Sequence, residues 1–138
     1  MFIRDHHIRI AAVLQSLDAE SLRSNSCWFA GGTAIALLYG EYRESFDVDF
    51  LVSDKAGYRN LRMCLVGQKS LEAISLPGSR LPCTREIRTD QYGIRTNVEV
   101  GDVSRRDSKC VTAFSVFTSS NRMFALVHLS AEGPTWRV

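Results

Sequence analysis

The chain has 138 residues, one domain's worth, with 45% hydrophobic and 23% charged residues, which excludes a disordered chain, a collagen-like repeat and a coiled coil. Its 17 Lys/Arg and 15 Asp/Glu leave a net charge of +2, too small by itself to imply nucleic-acid binding. No apolar run approaches the roughly 20 residues that span a bilayer, and Met1 to His7 lacks a signal-peptide pattern, so a cytoplasmic protein with no membrane partner is expected.

Ile10, Val13, Leu14 and Leu17 repeat at helical spacing and predict an amphipathic helix over residues 5–17, with His6 and His7 on its polar side. Cys27–Ala30 is a short apolar run that Gly31-Gly32 stops, which reads as a buried strand. Thr33 is placed to cap a helix ending at Gly40. Asp47–Val52 has strand length and composition, and residues 57–68 put Tyr58, Leu61, Cys64 and Leu65 on one helical face. Pro77, Gly78 and Pro82 mark a loop. Residues 85–89 and 94–100 then flank Asp90–Gly93 as a hairpin, with Gly93 supplying the turn's dihedrals. The expected fold class is α/β (α+β by stricter naming), a mixed sheet with flanking helices. The four cysteines are dispersed without a Cys-x-x-Cys pair, and three scattered histidines lack ligand spacing, so neither a disulfide scaffold nor a zinc module is expected.

Two features carry chemistry. Gly31-Gly32-Thr33 lies between a strand and a helix, where a glycine backbone approaches a ligand closely and unpaired N–H groups face a phosphate. The same residues also read as a tight turn with a threonine cap. Asp47-x-Asp49 puts two carboxylates on one face of an apolar strand, about 7 Å apart. Side by side they repel, and a cation such as Mg²⁺ relieves this, taking one or two carboxylates plus substrate phosphates. A solvent-facing pair at a strand end is the alternative. Thirteen residues separate Thr33 from Asp47, enough for one short helix and a return loop that bring the two features together. A nucleoside triphosphate held by the turn and metal-bridged to the aspartates has the geometry of phosphoryl transfer.

Gly31-Gly32-Thr33 followed by Arg43-x-Ser45-x-Asp47-x-Asp49-Phe50 resembles the signature of the nucleotidyltransferase superfamily. Within it the chain is similar, over roughly residues 5–103, to the AbiEii/AbiGii-type abortive-infection toxins of type IV toxin–antitoxin systems. The small antitoxin-type nucleotidyltransferases are a weaker match, because they usually carry Gly-Ser in the first motif. The resemblance implies that Gly31, Gly32 and Thr33 bind triphosphate and that Asp47 and Asp49 hold Mg²⁺ and act in catalysis. It implies a nucleotide transferred to an RNA or protein acceptor, tRNA for some members, and a separate cognate antitoxin. Arg43 either positions phosphate or pairs with an aspartate.

The resemblance also implies a third carboxylate on a later strand, of the type Ile-Lys-Phe-Glu-Ile, following the turn at Gly101-Asp102. Here Ser104–Cys110 is polar and charged without strand periodicity, and the composition changes. Residues 1–103 hold 12 Lys/Arg and 13 Asp/Glu, whereas residues 104–138 hold 5 and 2. Read two bases out of frame, Arg106–Cys110 permits Arg-Phe-Glu-Val. The expectation is therefore a nucleotidyltransferase core over residues 1–103, left incomplete, with a truncated or frame-shifted tail over residues 104–138. That leaves an unpaired sheet edge beside residues 94–100 and either weak transfer or nucleotide binding alone. Glu99 is the substitute carboxylate to weigh, though it reads more simply as a solvated strand residue. Asp102 and Asp107 have weaker claims.

Overall fold

The computed structural model describes residues 2–101 and 109–118. Its elements in order are helices α1 (Asp5–Ser16) and α2 (Ala19–Ser24), strand β1 (Cys27–Ala30), helix α3 (Gly31–Leu38), strand β2 (Val48–Val52) and helix α4 (Lys55–Leu65). A short 3-10 turn at Glu72–Ile74 and strands β3 (Arg88–Thr89), β4 (Gly93–Gly101) and β5 (Lys109–Thr118) follow. The five strands form one mixed sheet in the order β1-β2-β5-β4-β3. Only β2 and β5 run parallel; the other neighbours are antiparallel. The α/β (α+β) expectation holds.

Alternation in the strands sends Phe29, Val48, Phe50, Phe114, Val116, Ile94 and Val98 to one face. There they join Ile10, Val13 and Leu14 of α1, Leu37 of α3, and Tyr58, Leu61 and Leu65 of α4 in a single buried cluster. Phe50 sits at its centre, with the Phe29 and Phe114 ring centroids at 5.6 and 5.5 Å. The opposite face carries one row across four strands, because Asp49 pairs with Ser115, Ser115 with Arg95, and Arg95 with Arg88.

Several expectations need correction. The strand pattern does not stop at Val103: β5 lies in the segment read as a tail and sits in the middle of the sheet, between β2 and β4. Thr112, Phe114 and Val116 supply its buried side, an alternation that the polar stretch before it obscures. Residues 94–100 therefore have a partner, and no open edge exists there. The proposed turn residue Asp102 and residues 119–138 lie outside the described residues.

Helix α4 starts earlier than expected, where the Asp54 carboxylate accepts the Gly57 amide at 3.0 Å. It buries Tyr58, Leu61 and Leu65 but leaves Cys64 exposed. Gly93 belongs to β4 rather than supplying a strained turn. The Asp90 carboxylate makes that turn instead, accepting the Tyr92 and Gly93 amides at 2.7 and 2.8 Å. Finally, His7 is fully buried rather than on a polar face.

Membership of β5 in the core has a direct consequence. Phe114 is 0% exposed, so Phe114→Ala is expected to cost about 3–5 kcal/mol in chemical denaturation. A tail lying loosely on the surface predicts a change within about 0.5 kcal/mol.

Candidate active site

The two sequence features meet at the junction of β1, α3 and β2. Antiparallel pairing sets Ala30 opposite Asp49, and α3 begins at the next residue, Gly31. The glycines are thus the first residues of the helix rather than a loop before it. Ala30 occupies the cap position and offers no side-chain hydrogen bond, so among the described residues the first amides of α3 have no capping side chain. Gly31 has φ +83°, and a Cβ there would stand 3.0 Å from Asp49 Oδ2. Glycine is therefore required at this position both for the dihedral and for the approach of the carboxylate. A side chain at Gly32 would run into the Arg43 guanidinium, so Gly32 is what lets Arg43 lie against the start of α3.

Thr33 differs from its expected role. It is 1% exposed, and its hydroxyl donates to the Asp47 carbonyl at 2.5 Å and pairs with the Ser45 hydroxyl at 2.6 Å. With its single proton committed to Asp47, it accepts from Ser45 and has no proton left for a phosphate. Thr33 is a positioning residue that clamps the Ser45–Asp47 segment onto α3. Nor does it cap the helix.

A second layer holds the same segment. The Ser45 amide donates to His7 Nε2 at 3.1 Å, which leaves the ring proton on Nδ1, facing Glu41 Oε1 at 2.7 Å. Glu41 also accepts the Ile3 and Arg4 amides at 2.8 and 3.1 Å, while its own backbone sits at φ +58°. Burial works to raise the Glu41 pKa, but the two amides and His7 outweigh it and hold the carboxyl below its ordinary range. The chain from α1 through Glu41, His7 and Ser45 to Thr33 fixes the loop that carries Arg43 and Asp47. His7 was legible in principle, since it falls three residues before Ile10 and seven before Leu14 on the apolar stripe. Glu41 gave no such signal.

Asp47 is exposed and Asp49 half-buried. Burial, and then the charge of Asp47, push the Asp49 carboxyl above its ordinary range. That is the signature of a carboxylate pair short of positive charge. Arg43 does not supply it: its Nε donates to the Tyr42 hydroxyl at 3.2 Å, and among the described residues it forms no salt bridge with either aspartate. No third His, Cys, Asp or Glu joins the pair among the described residues. Two carboxylates beside free helix-start amides suit Mg²⁺, which completes its shell with water and phosphate oxygens.

The face of β5 that Asp49 meets carries Val111, Ala113, Ser115 and Phe117, with Ser115 directly opposite Asp49. The third carboxylate that the resemblance implies has no counterpart opposite Asp49 among the described residues, where Ser115 stands. Glu99 does not replace it, because it lies four residues beyond Arg95 and two strands from Asp49. Those steps amount to about 13 Å and about 10 Å. Asp102 and Asp107 lie outside the described residues.

A carboxyl whose pKa is raised by folding binds its proton more tightly in the folded chain than in the unfolded one, so its contribution to stability falls as pH rises through the folded pKa. Asp49→Asn is accordingly expected to raise the melting temperature at pH 7 by about 2–4 °C in metal-free buffer, with the gain shrinking toward pH 4. Thermal melts at both pH values check this; a lower melting temperature at pH 7 would contradict the strained-pair reading.

Comparison with known proteins bears on the family and the fold. The family model described as the nucleotidyl transferase AbiEii toxin of type IV toxin–antitoxin systems matches residues 12–108. The fold is similar to that of JHP933 from Helicobacter pylori, with a TM-score of 0.53 at 12% identity, covering 100% of this chain and 54% of that one. A candidate nucleotidyltransferase from H. pylori gives 0.51 at 13% identity, covering 96% and 52%. The chain thus spans about half the length of either structure, and no curated protein matches it. On the strength of a match over most of its length, the chain belongs to the AbiEii nucleotidyltransferase toxin family.

Proposed function

We propose that the site binds a nucleoside triphosphate with Mg²⁺ and directs nucleotidyl transfer, slowly, to an acceptor hydroxyl on RNA. The observation that carries this reading is the approach of Gly31 to Asp49, which sets the backbone amides at the start of α3 beside a half-buried carboxylate that also feels the charge of the exposed Asp47. The Gly31 and Gly32 amides at the positive end of α3 would take phosphate oxygens. Arg43, lying over Gly32, would add charge to the same group. Asp47 and Asp49 would hold Mg²⁺, whose chemistry is to neutralise charge developing on the phosphates. The acceptor, tRNA by family analogy, and a cognate antitoxin are the implied macromolecular partners. We place the reaction in the cytoplasm, where triphosphates and RNA occur together. No described helix is long and apolar enough to cross a membrane.

Transfer requires the acceptor oxygen to form a bond to the α-phosphorus as the bond to the pyrophosphate oxygen breaks. Pyrophosphate leaves, and the acceptor's proton must go elsewhere. Asp47 and Asp49 are committed to metal in this reading, and Ser115 is not a base at neutral pH. The proton is left to solvent, and a missing acid–base group of this kind typically costs about 10²–10⁴-fold. A domain that only binds nucleotide is the limit of the same argument.

The reading is tested by incubating the purified chain with α-labelled nucleoside triphosphates, Mg²⁺ and total tRNA, beside Asp47→Asn and Ser115→Asp. The native chain should label RNA weakly and Asp47→Asn not at all, while Ser115→Asp should label at least about tenfold faster. Efficient labelling by the native chain that Ser115→Asp lowers would overturn the account of the missing base. Absence of Mg²⁺-dependent triphosphate binding by calorimetry would overturn the site itself.

A further inference from the structure

Beyond Ser115, the row that starts at Asp49 ends in two arginines. Arg95 and Arg88 are direct cross-strand partners, so both side chains leave the same face with Cβ atoms about 5 Å apart. Like charges placed so destabilise a sheet unless something answers them. The two line a groove of about 610 Å³ together with Arg85, Asn97, Ala113 and Ser115. The groove therefore runs from the neighbour of Asp49 outward across β5, β4 and β3. Asp49 and Arg88 stand three strands apart, about 14 Å.

Two carboxylates also line the groove, Glu86 and Asp90. Asp90 is already spent: it accepts the Tyr92 and Gly93 amides, and its other oxygen meets Arg95 at 3.1 Å. Those amides, ahead of Arg95, hold its carboxyl below the ordinary range. Among the described residues neither Arg85 nor Arg88 has a salt-bridge partner, and both are exposed. Arg95 keeps a further feature, since its guanidinium lies over the Phe117 ring at 5.7 Å from the centroid. It thereby offers a flat cationic surface as well as N–H edges.

We propose that this groove seats the acceptor strand: a single-stranded RNA whose phosphates lie on Arg85, Arg88 and Arg95 and whose hydroxyl end reaches Asp49 past Ser115. The proposal rests on the transfer reading for the direction of the strand, though not for its binding. Guanidinium groups match phosphate oxygens in pairs, and a stacked guanidinium accepts an unpaired base on its open face. An acidic peptide would use the charges but gain nothing from the stacked Arg95 plane, which favours RNA. The short spacing of Arg88 and Arg95 also suits consecutive phosphates of one strand better than a scattered acidic surface.

The test uses the whole chain, a short fluorescein-labelled single-stranded RNA, and the double variant Arg85→Ala/Arg88→Ala. Both arginines are exposed and lie outside the triphosphate site, so folding and Mg²⁺–triphosphate affinity should be unchanged. Anisotropy should show RNA affinity reduced about tenfold at low salt, and the slope of log affinity against log salt should flatten by about 1.4 for two lost contacts. Equal RNA affinity in native chain and variant overturns the proposal, as does absence of RNA binding by the native chain. Competition by polyglutamate as strong as by RNA, with the same arginine dependence, overturns RNA in favour of an acidic protein. Arginine-dependent RNA binding in a chain that fails to bind Mg²⁺–triphosphate upholds the groove and refutes the transfer reading.

Discussion

The site depends on one hydroxyl. Thr33, buried in the first turn of α3, donates to the Asp47 carbonyl and takes the Ser45 hydroxyl in return. This bond pins the loop after α3 to the helix that precedes it. Without it, the loop that carries Arg43 and Asp47 would lose its side-chain tie to α3 and keep the links through His7 and Glu41. The pin is reinforced from α1, where His7 holds the Ser45 amide and Glu41 holds His7. A buried polar network of this kind is costly when half satisfied and rigid when complete. Its members pair with one another or with backbone amides and the Asp47 carbonyl, and the strained backbone at Glu41 is retained because three hydrogen bonds converge on its carboxylate.

The sheet does the complementary work. Phe29, Phe50 and Phe114 lock β1, β2 and β5 together from the core side, so the opposite side of the same strands is presented at fixed spacing. Asp49 stands on it, crowded by Gly31 and repelled by Asp47. The energetic strain there is a reason to bind a cation. Among the described residues the sheet sets Ser115, rather than a third carboxylate, opposite Asp49. Family and fold thus agree.

Much of this was readable from the amino-acid order. The spacing of Gly31-Gly32-Thr33 and Asp47-x-Asp49 predicts that one short helix and a return loop bring the two features together, and they meet at the junction of β1, α3 and β2. Thr33 was misread because a threonine at a helix start resembles a cap, and only three-dimensional contact reveals that its hydroxyl turns to Asp47 instead. Cys64 was misplaced because apolar character was taken for burial, whereas α4 turns that position to solvent. Strand β5 was missed for a different reason. Polar residues and a change of charge preceded it, and they outweighed the period-two pattern of Thr112, Phe114 and Val116. His7 followed the apolar stripe, but a histidine there gains its reason only from Glu41, which lies 34 residues away.

The account is tested most directly by a crystal structure of the chain with Mg²⁺ and a non-hydrolysable nucleoside triphosphate. It predicts phosphate oxygens on the Gly31 and Gly32 amides, a metal ion bound by Asp47 and Asp49, and the Thr33–Asp47 hydrogen bond intact. Phosphates seated elsewhere, or a metal that leaves Asp49 unbound beside an empty α3 terminus, would contradict it.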